Sequence, residues 1–111
     1  MDYLVMLEVE LKDNQKLRLG SGHHILWDIR DLIFASSGLT ILNQQDYGLA
    51  RALIPLLQKG ILELSQDSSS YSHYDVLYGL GTVSDALVFY RNLLSDCIAH
   101  PYAELYGCIS A

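Results

Sequence analysis

The chain opens with an alternation of apolar and polar side chains. Apolar residues recur at every second position over residues 5–11, and Glu8 and Glu10 lie between the last of them. This is the period of a half-buried β-strand. Residues 12–15 have the composition of a turn, and residues 16–19 alternate again. The pattern therefore predicts an N-terminal β-hairpin.

Helical periodicity begins after a Gly-Ser-Gly break at residues 20–22. It predicts a first helix over residues 23–36 and a second over residues 44–59. Asn43 is placed to cap the second helix. We expect Pro55 to kink or split this helix, because proline removes an intrahelical hydrogen bond.

Shorter elements and one long helix are predicted in the rest of the chain. Gly60 is expected to end the second helix, and the apolar residues 61–64 predict a strand. A further strand is predicted around residues 74–80, so that the two strands form a second short hairpin. The third main helix is predicted over residues 83–98, and a final helical turn over residues 102–106.

Together these elements predict a small α+β protein. It has an N-terminal β-hairpin, three main helices and a second short hairpin. The length of 111 residues suits a single hydrophobic core. No internal repeat or linker divides the chain, so we predict one compact domain over residues 1–111.

Part of the chain, residues 49–87, resembles winged-helix domains. A leucine-rich helix ending in Leu-Leu-Gln-Lys-Gly is followed by a predicted strand, a polar loop, a second strand and a helix. This is the order of the recognition helix, the wing and the following helix in that family. The resemblance implies a DNA-binding regulator whose second helix contacts DNA through five residues: Gln44, Gln45, Arg51, Gln58 and Lys59.

The charge of the chain argues against nucleic acid as its partner. The formal net charge is −6, and residues 67–73, in the position of the wing, contain no Lys or Arg. Binding to phosphates depends on clustered cations. Winged helices also serve as protein-binding modules, so DNA binding is the alternative hypothesis. A third hypothesis is an acidic decoy that occupies the nucleic-acid site of another protein.

The composition favours a cytoplasmic protein without a membrane anchor. Half of the residues are apolar and 18% are charged. The longest apolar runs, residues 3–7 and 52–57, are far shorter than the roughly 20 residues that cross a bilayer. The N-terminus lacks the basic region of a secretory signal. In a reducing compartment, Cys97 and Cys108 are expected to behave as small apolar residues.

The sequence contains no signature of catalysis, a cofactor or a metal. Its four histidines and two cysteines lack the spacing of a zinc site. Residues 79–82 lack the further glycine or lysine of phosphate-binding loops. A nucleophile at Cys97 or Cys108 with His100, or an Asp75–His73 pair, is the enzymatic alternative. We predict no catalytic, cofactor-binding or metal-binding residues.

Apolar side chains are more numerous than a one-sided core requires. On the predicted first helix, two aromatic residues lie opposite the main apolar face. On the predicted third helix, one further apolar residue widens the apolar face and another lies among polar neighbours. Tryptophan, phenylalanine and arginine are enriched in protein interfaces and their hot spots. The predicted contact residues are Trp27, Arg30, Asp31, Phe34, Val88 and Phe89. Alternatively, the first helix is buried on two sides within one fold.

These observations predict a non-catalytic regulatory or adaptor protein that acts through protein–protein contacts. The aromatic side chains supply buried area, and the pair Arg30 and Asp31 sets the orientation of the partner. The expected partner is a protein, either another chain or a second copy in a homodimer.

Overall fold

The predicted N-terminal hairpin is confirmed. The computed structural model of the chain describes three ranges: residues 2–40, 45–79 and 81–110. Strand β1 (Asp2–Glu10) pairs antiparallel with strand β2 (Lys16–Leu26). The turn between them has positive φ at Asp13 and Asn14, a conformation that these two residue types adopt more readily than most.

Strand β2 continues through the Gly-Ser-Gly segment, so the prediction of a helix from residue 23 is wrong. The pairing register shifts between Val5 and Leu7 of β1, opposite residues 20–22. Pairing then resumes with Val5 opposite His23. Gly20 has a φ of 68°, which glycine adopts without steric cost. The glycines therefore form a β-bulge instead of starting a helix.

The first helix begins only after β2 has ended. A 3-10 turn, Trp27–Ile29, leads into helix α1 (Arg30–Ser37). The helix ends at Gly38, as predicted, with a φ of 83° at this residue. The N–H of Gly38 donates to the carbonyl of Phe34 at 2.8 Å, which satisfies one of the last carbonyls of the helix.

The predicted start of the second helix is also wrong. Residues Gln45–Leu49 form strand β3, and Asn43 lies outside the described residues. Helix α2 (Ala50–Gln66) follows at once. Its first N–H, on Ala50, donates to the carbonyl of Ala103 at 2.8 Å. A backbone carbonyl from elsewhere in the fold thus replaces the side-chain cap that the sequence predicts.

Helix α2 is not split at Pro55 and does not end at Gly60. Pro55 lies within the helix on its exposed side. Gly60 is buried, and a Cβ at this position would lie 2.6 Å from the ring of Tyr90. Glycine disfavours helices by about 1 kcal/mol relative to alanine. Here close packing on Tyr90 requires the absence of a side chain, so tertiary contact overrides the local preference.

The second short hairpin is wrong. Residues 61–64 belong to α2, and the short helices α3 (Ser68–Tyr71) and α4 (His73–Tyr78) follow. A short apolar run fits a buried helical turn as well as a strand, and burial of Leu64 in the core selects the helix. The winged-helix order over residues 49–87 is therefore not formed, and the DNA-binding alternative loses its structural premise.

The predicted final helical turn is replaced by a central strand. Strand β4 (Glu104–Ser110) pairs antiparallel with both β1 and β3. The sheet has the order β2-β1-β4-β3. The two inner strands, β1 and β4, come from opposite ends of the chain. Their pairing depends on a contact that no local pattern encodes.

The third predicted helix is confirmed as α5 (Thr82–Ala99). It packs against α2 and β2, and Asp75 accepts a hydrogen bond at 2.8 Å from the N–H of Val83 in its first turn. The fold is thus an α+β domain, as predicted. Side chains of the helices and the sheet share one core, which includes Tyr3, Val5, Leu7, Leu32, Leu57, Phe89, Tyr90, Leu93 and Leu105.

We expect Gly60→Ala to destabilise the protein by about 1–3 kcal/mol, because the added methyl group must displace the ring of Tyr90. Without that contact, alanine would stabilise the helix. Urea unfolding measures the change. In a Tyr90→Leu background the cost of Gly60→Ala should shrink. An equal cost in both backgrounds would show that the ring is not its cause.

Candidate binding groove

A groove of about 370 Å³ lies between strand β2 and helix α5. Strand β2 is at the edge of the sheet and pairs with β1 alone. Helix α5 forms the other wall of the groove, and the 3-10 turn after β2 contributes Ile29. We refer to this cavity as the β2–α5 groove.

The β2–α5 groove has an apolar floor and exposed apolar side chains beside it. Ile25, Ile29 and Phe89 line it and are buried. Leu26 is 50% exposed and Val88 is 55% exposed. Exposed apolar side chains beside a concave apolar surface are typical of sites that bind a ligand or a protein.

The edge of β2 leaves backbone groups unpaired along the groove. In an antiparallel pair, alternate residues point their N–H and C=O groups away from the partner strand. Among the described residues, β2 makes one backbone hydrogen bond outside its pairing with β1, from the N–H of Ser21 to Oδ2 of Asp96 at 3.1 Å. The edge from Gly22 to Leu26 is therefore open.

A polar contact closes one end of this open edge. Asp96 of α5 accepts the N–H of Ser21, and its Oδ2 lies 2.6 Å from Nε2 of His23. A Cβ on Gly20 would lie 2.5 Å from the same carboxylate oxygen, so glycine permits this approach. We call Ser21, His23 and Asp96 the clasp, because they hold α5 against the bulge of β2.

The clasp stabilises the charged form of Asp96. Burial by itself raises the pKa of this carboxyl group, but the hydrogen bonds from Ser21 and His23 and the charges of His23 and His100 outweigh it. The pKa of Asp96 is therefore lower than its usual value. Within the described ranges, His23 forms no hydrogen bond to a hydroxyl or thiol, so this His–Asp pair has no nucleophile attached to it.

The predicted contact residues fall in two places. Val88 is exposed on the β2–α5 groove, whereas Phe89 is buried and belongs to its floor. The other four lie on α1 and the turn before it, and we call them the α1 patch: Trp27, Arg30, Asp31 and Phe34.

The α1 patch is partly a packing surface. The Arg30 guanidinium lies 4.9 Å from the centre of the Trp27 ring and donates to the Trp27 carbonyl at 3.3 Å. Trp27 is half-buried, with its ring centre 6.1 Å from that of Tyr3. Phe34, one helical turn beyond Arg30, is 59% exposed. The alternative hypothesis, in which the aromatic side chains of the first helix are buried within one fold, thus applies to Trp27 and not to Phe34.

The residues of the DNA-binding alternative are distributed over different elements. Arg51, Gln58 and Lys59 are exposed on α2, and the Arg51 guanidinium lies 5.4 Å from the centre of the Tyr102 ring. Gln45 belongs to β3, but its side chain lies outside what the structure describes. Gln44 lies outside the described residues altogether.

Among the described residues, no hydrogen bond joins Cys97 to His100 or Asp75 to His73, pairs of the enzymatic alternative. Burial, together with the charge of Asp96, raises the pKa of the Cys97 thiol to about 12. A thiolate therefore does not form there near neutral pH. Asp75 is engaged in capping α5, and the ring of His73 packs on Tyr74, with 4.2 Å between ring centres.

Most of the groove has no signal in the sequence. The predicted helix from residue 23 separates Leu26 from the edge strand to which it belongs, and it leaves the clasp unassembled. Residues 23–26 read His-His-Ile-Leu, two polar positions followed by two apolar ones, so the local pattern did not indicate a strand there. The partner residue Asp96 lies on a distant helix and had no local signal.

Comparison of the chain with protein-family models, with curated proteins and with solved structures finds no match. Within residues 2–40, 45–79 and 81–110, no group of histidine, cysteine or acidic residues is placed to hold a metal ion. None of the helices in those ranges has the length and apolar character required to cross a bilayer.

We expect Asp96→Asn to lower stability at neutral pH by about 1 kcal/mol, because it weakens the clasp. Since the folded-state pKa of Asp96 is lowered, this contribution is full above the unfolded pKa of about 3.9 and is lost as the pH falls through the folded pKa. Urea unfolding at several pH values should therefore show that the difference in the free energy of unfolding between wild type and variant decreases in acid.

Asp67→Asn is the control for this experiment. Asp67 is exposed between α2 and α3 and forms no ion pair with any described residue. Its substitution should change stability by less than about 0.5 kcal/mol at every pH. If Asp96→Asn lowers the free energy of unfolding equally in acid and at neutral pH, the charge of Asp96 does not contribute to the stability of the clasp.

Proposed function

We propose that this protein is a non-catalytic regulatory or adaptor module that binds another protein through the β2–α5 groove. The observation that carries the proposal is the combination of exposed Leu26 and Val88, the buried floor at Phe89 and the open strand edge. Covering one such exposed aliphatic side chain contributes about 1–2 kcal/mol to binding. Two of them around a preformed cavity support a specific contact.

The composition of the groove favours a protein over a nucleic acid. No Lys or Arg lines it, whereas Asp2 and Asp85 do. With a net charge of −6, the chain offers little attraction for phosphates. The half-exposed side chains at its rim extend the apolar surface beyond the cavity itself, which suits the larger contact area of a protein partner.

A second candidate function is self-association through the α1 patch, to form a homodimer. Phe34 is exposed there, and the adjacent residues Arg30 and Asp31 carry opposite charges. Neither forms an ion pair with a described residue. A two-fold axis beside Phe34 would set Arg30 of one copy against Asp31 of the other, which makes the patch self-complementary.

We expect Val88→Asp to abolish capture of the protein partner, because it places a charge over the apolar floor of the groove. Affinity capture from the native lysate, quantified by mass spectrometry, should show at least a tenfold loss of the partner, or about 1.4 kcal/mol. Ile98→Asp is the control, since Ile98 is 58% exposed on the same helix but does not line the groove. Equal effects of the two substitutions would contradict the proposal.

We expect Phe34→Ser to convert the proposed homodimer into a monomer with unchanged helical content. Light scattering measures the mass, and circular dichroism measures the helix. Leu62→Ser, which removes an apolar side chain of similar exposure from α2, should remain dimeric. A wild-type protein that is monomeric at all concentrations would exclude self-association and would leave the groove proposal unaffected.

A further inference from the structure

The geometry points to a particular kind of partner: we propose that the β2–α5 groove binds a short, extended, basic segment that adds a strand to the free edge of β2. The inference rests on the proposed function of the groove. It goes further by stating the conformation of the bound segment and its chemical character.

The backbone of β2 supplies the first argument. The edge from Gly22 to Leu26 has no strand beside it, and its outward N–H and C=O groups have no partner among the described residues. An added strand would satisfy these groups through main-chain hydrogen bonds, which provide affinity for any extended sequence. Helix α5 on the opposite wall would contact the side chains and so provide selectivity.

The clasp sets the length of the segment. Because Asp96 already accepts the N–H of Ser21, α5 closes the edge at the bulge. The open part covers residues 22–26, and at about 3.3 Å per residue it accommodates four or five residues of an extended chain. A second copy suits the groove less well, since its own β2 edge would bring the same two carboxylates, Asp2 and Asp85, into the contact.

The walls of the groove define the side chains that fit. Successive side chains of a strand point to opposite faces. In the added strand, one set would face Ile25, Ile29 and Phe89, which are buried and apolar. The other set would lie beside His24 and Leu26, which are exposed. Every second residue of the segment should therefore be apolar.

The charge at the rim requires cations between those apolar residues. Asp2, which lies opposite Leu26 in the register of β1 and β2, and Asp85 of α5 both line the groove. Neither forms an ion pair with a described residue, and no Lys or Arg lines the groove. Arginine or lysine in the segment would neutralise them, and this complementarity would select the partner and speed its association.

The test uses a blocked hexapeptide of alternating arginine and valine, titrated into the isotope-labelled full chain. We expect saturable NMR shifts at the amides of residues 22–26 and at Val88. Exchange of the β2 edge amides with solvent should slow at least tenfold. Replacing the arginines with glutamate should weaken binding at least tenfold, and methylating alternate backbone nitrogens in the register that faces β2 should abolish it.

Charge-reversal variants test whether the cations of the bound segment lie beside Asp85. Asp85→Lys should weaken the arginine peptide about tenfold and strengthen the glutamate peptide. Asp67→Lys is the control, because Asp67 is equally an exposed carboxylate but does not line the groove. Both side chains lie outside the core, so both variants should keep the wild-type fold, which the unchanged amide spectrum away from the substitution would show.

Three results would overturn the inference. The inference fails if the arginine peptide leaves residues 22–26 unshifted, if methylation in neither register weakens binding, or if the edge amides shift with protein concentration alone, as occupation by a second copy requires. If Val88→Asp still abolishes capture of a partner while the peptide fails, the groove binds a folded surface and only this inference falls. If the peptide does not bind and Val88→Asp also leaves partner capture unchanged, the proposed function is wrong as well.

Discussion

The groove depends on how helix α5 is held against the edge of strand β2. At one end, the carboxylate of Asp96 accepts the N–H of Ser21 and contacts His23, in a space left open by Gly20. Beyond this clasp the helix and the strand edge enclose a cavity. The same contact occupies the strand edge at Ser21, whereas residues 22–26 form no backbone hydrogen bond on that side with a described residue.

A second packing contact positions α5 from its other side. The hydroxyl of Tyr90 donates to the carbonyl of Ile33 at 3.0 Å and lies 2.7 Å from the hydroxyl of Ser36, so α5 is tied to α1. The ring of the same residue lies against Gly60 of α2. Burial raises the pKa of the Tyr90 hydroxyl, so this donor stays protonated further into the alkaline range. One side chain thus links three helices behind the groove.

Local pattern predicted the elements whose stability is mostly local. The hairpin of β1 and β2, the end of α1 at Gly38 and nearly all of α5 agree with the sequence predictions. The failures occur where a distant contact decides. Gly60 is helical because of Tyr90, and residues 104–110 are a strand because β1 lies beside them. The position of Val88 on a helical wheel predicts its exposure, whereas the roles of Leu26 and the clasp follow only from the full extent of β2.

The sequence by itself determined the α+β class, the acidic surface and the surplus of apolar side chains, because composition and short-range periodicity encode all three. Only the tertiary structure decided which surplus residues are core and which are exposed. It buried Phe89 as the floor of a groove and left Val88 and Phe34 on the surface. The physical reason is that exposure depends on which elements meet, and β2 and α5 are separated by about half of the chain.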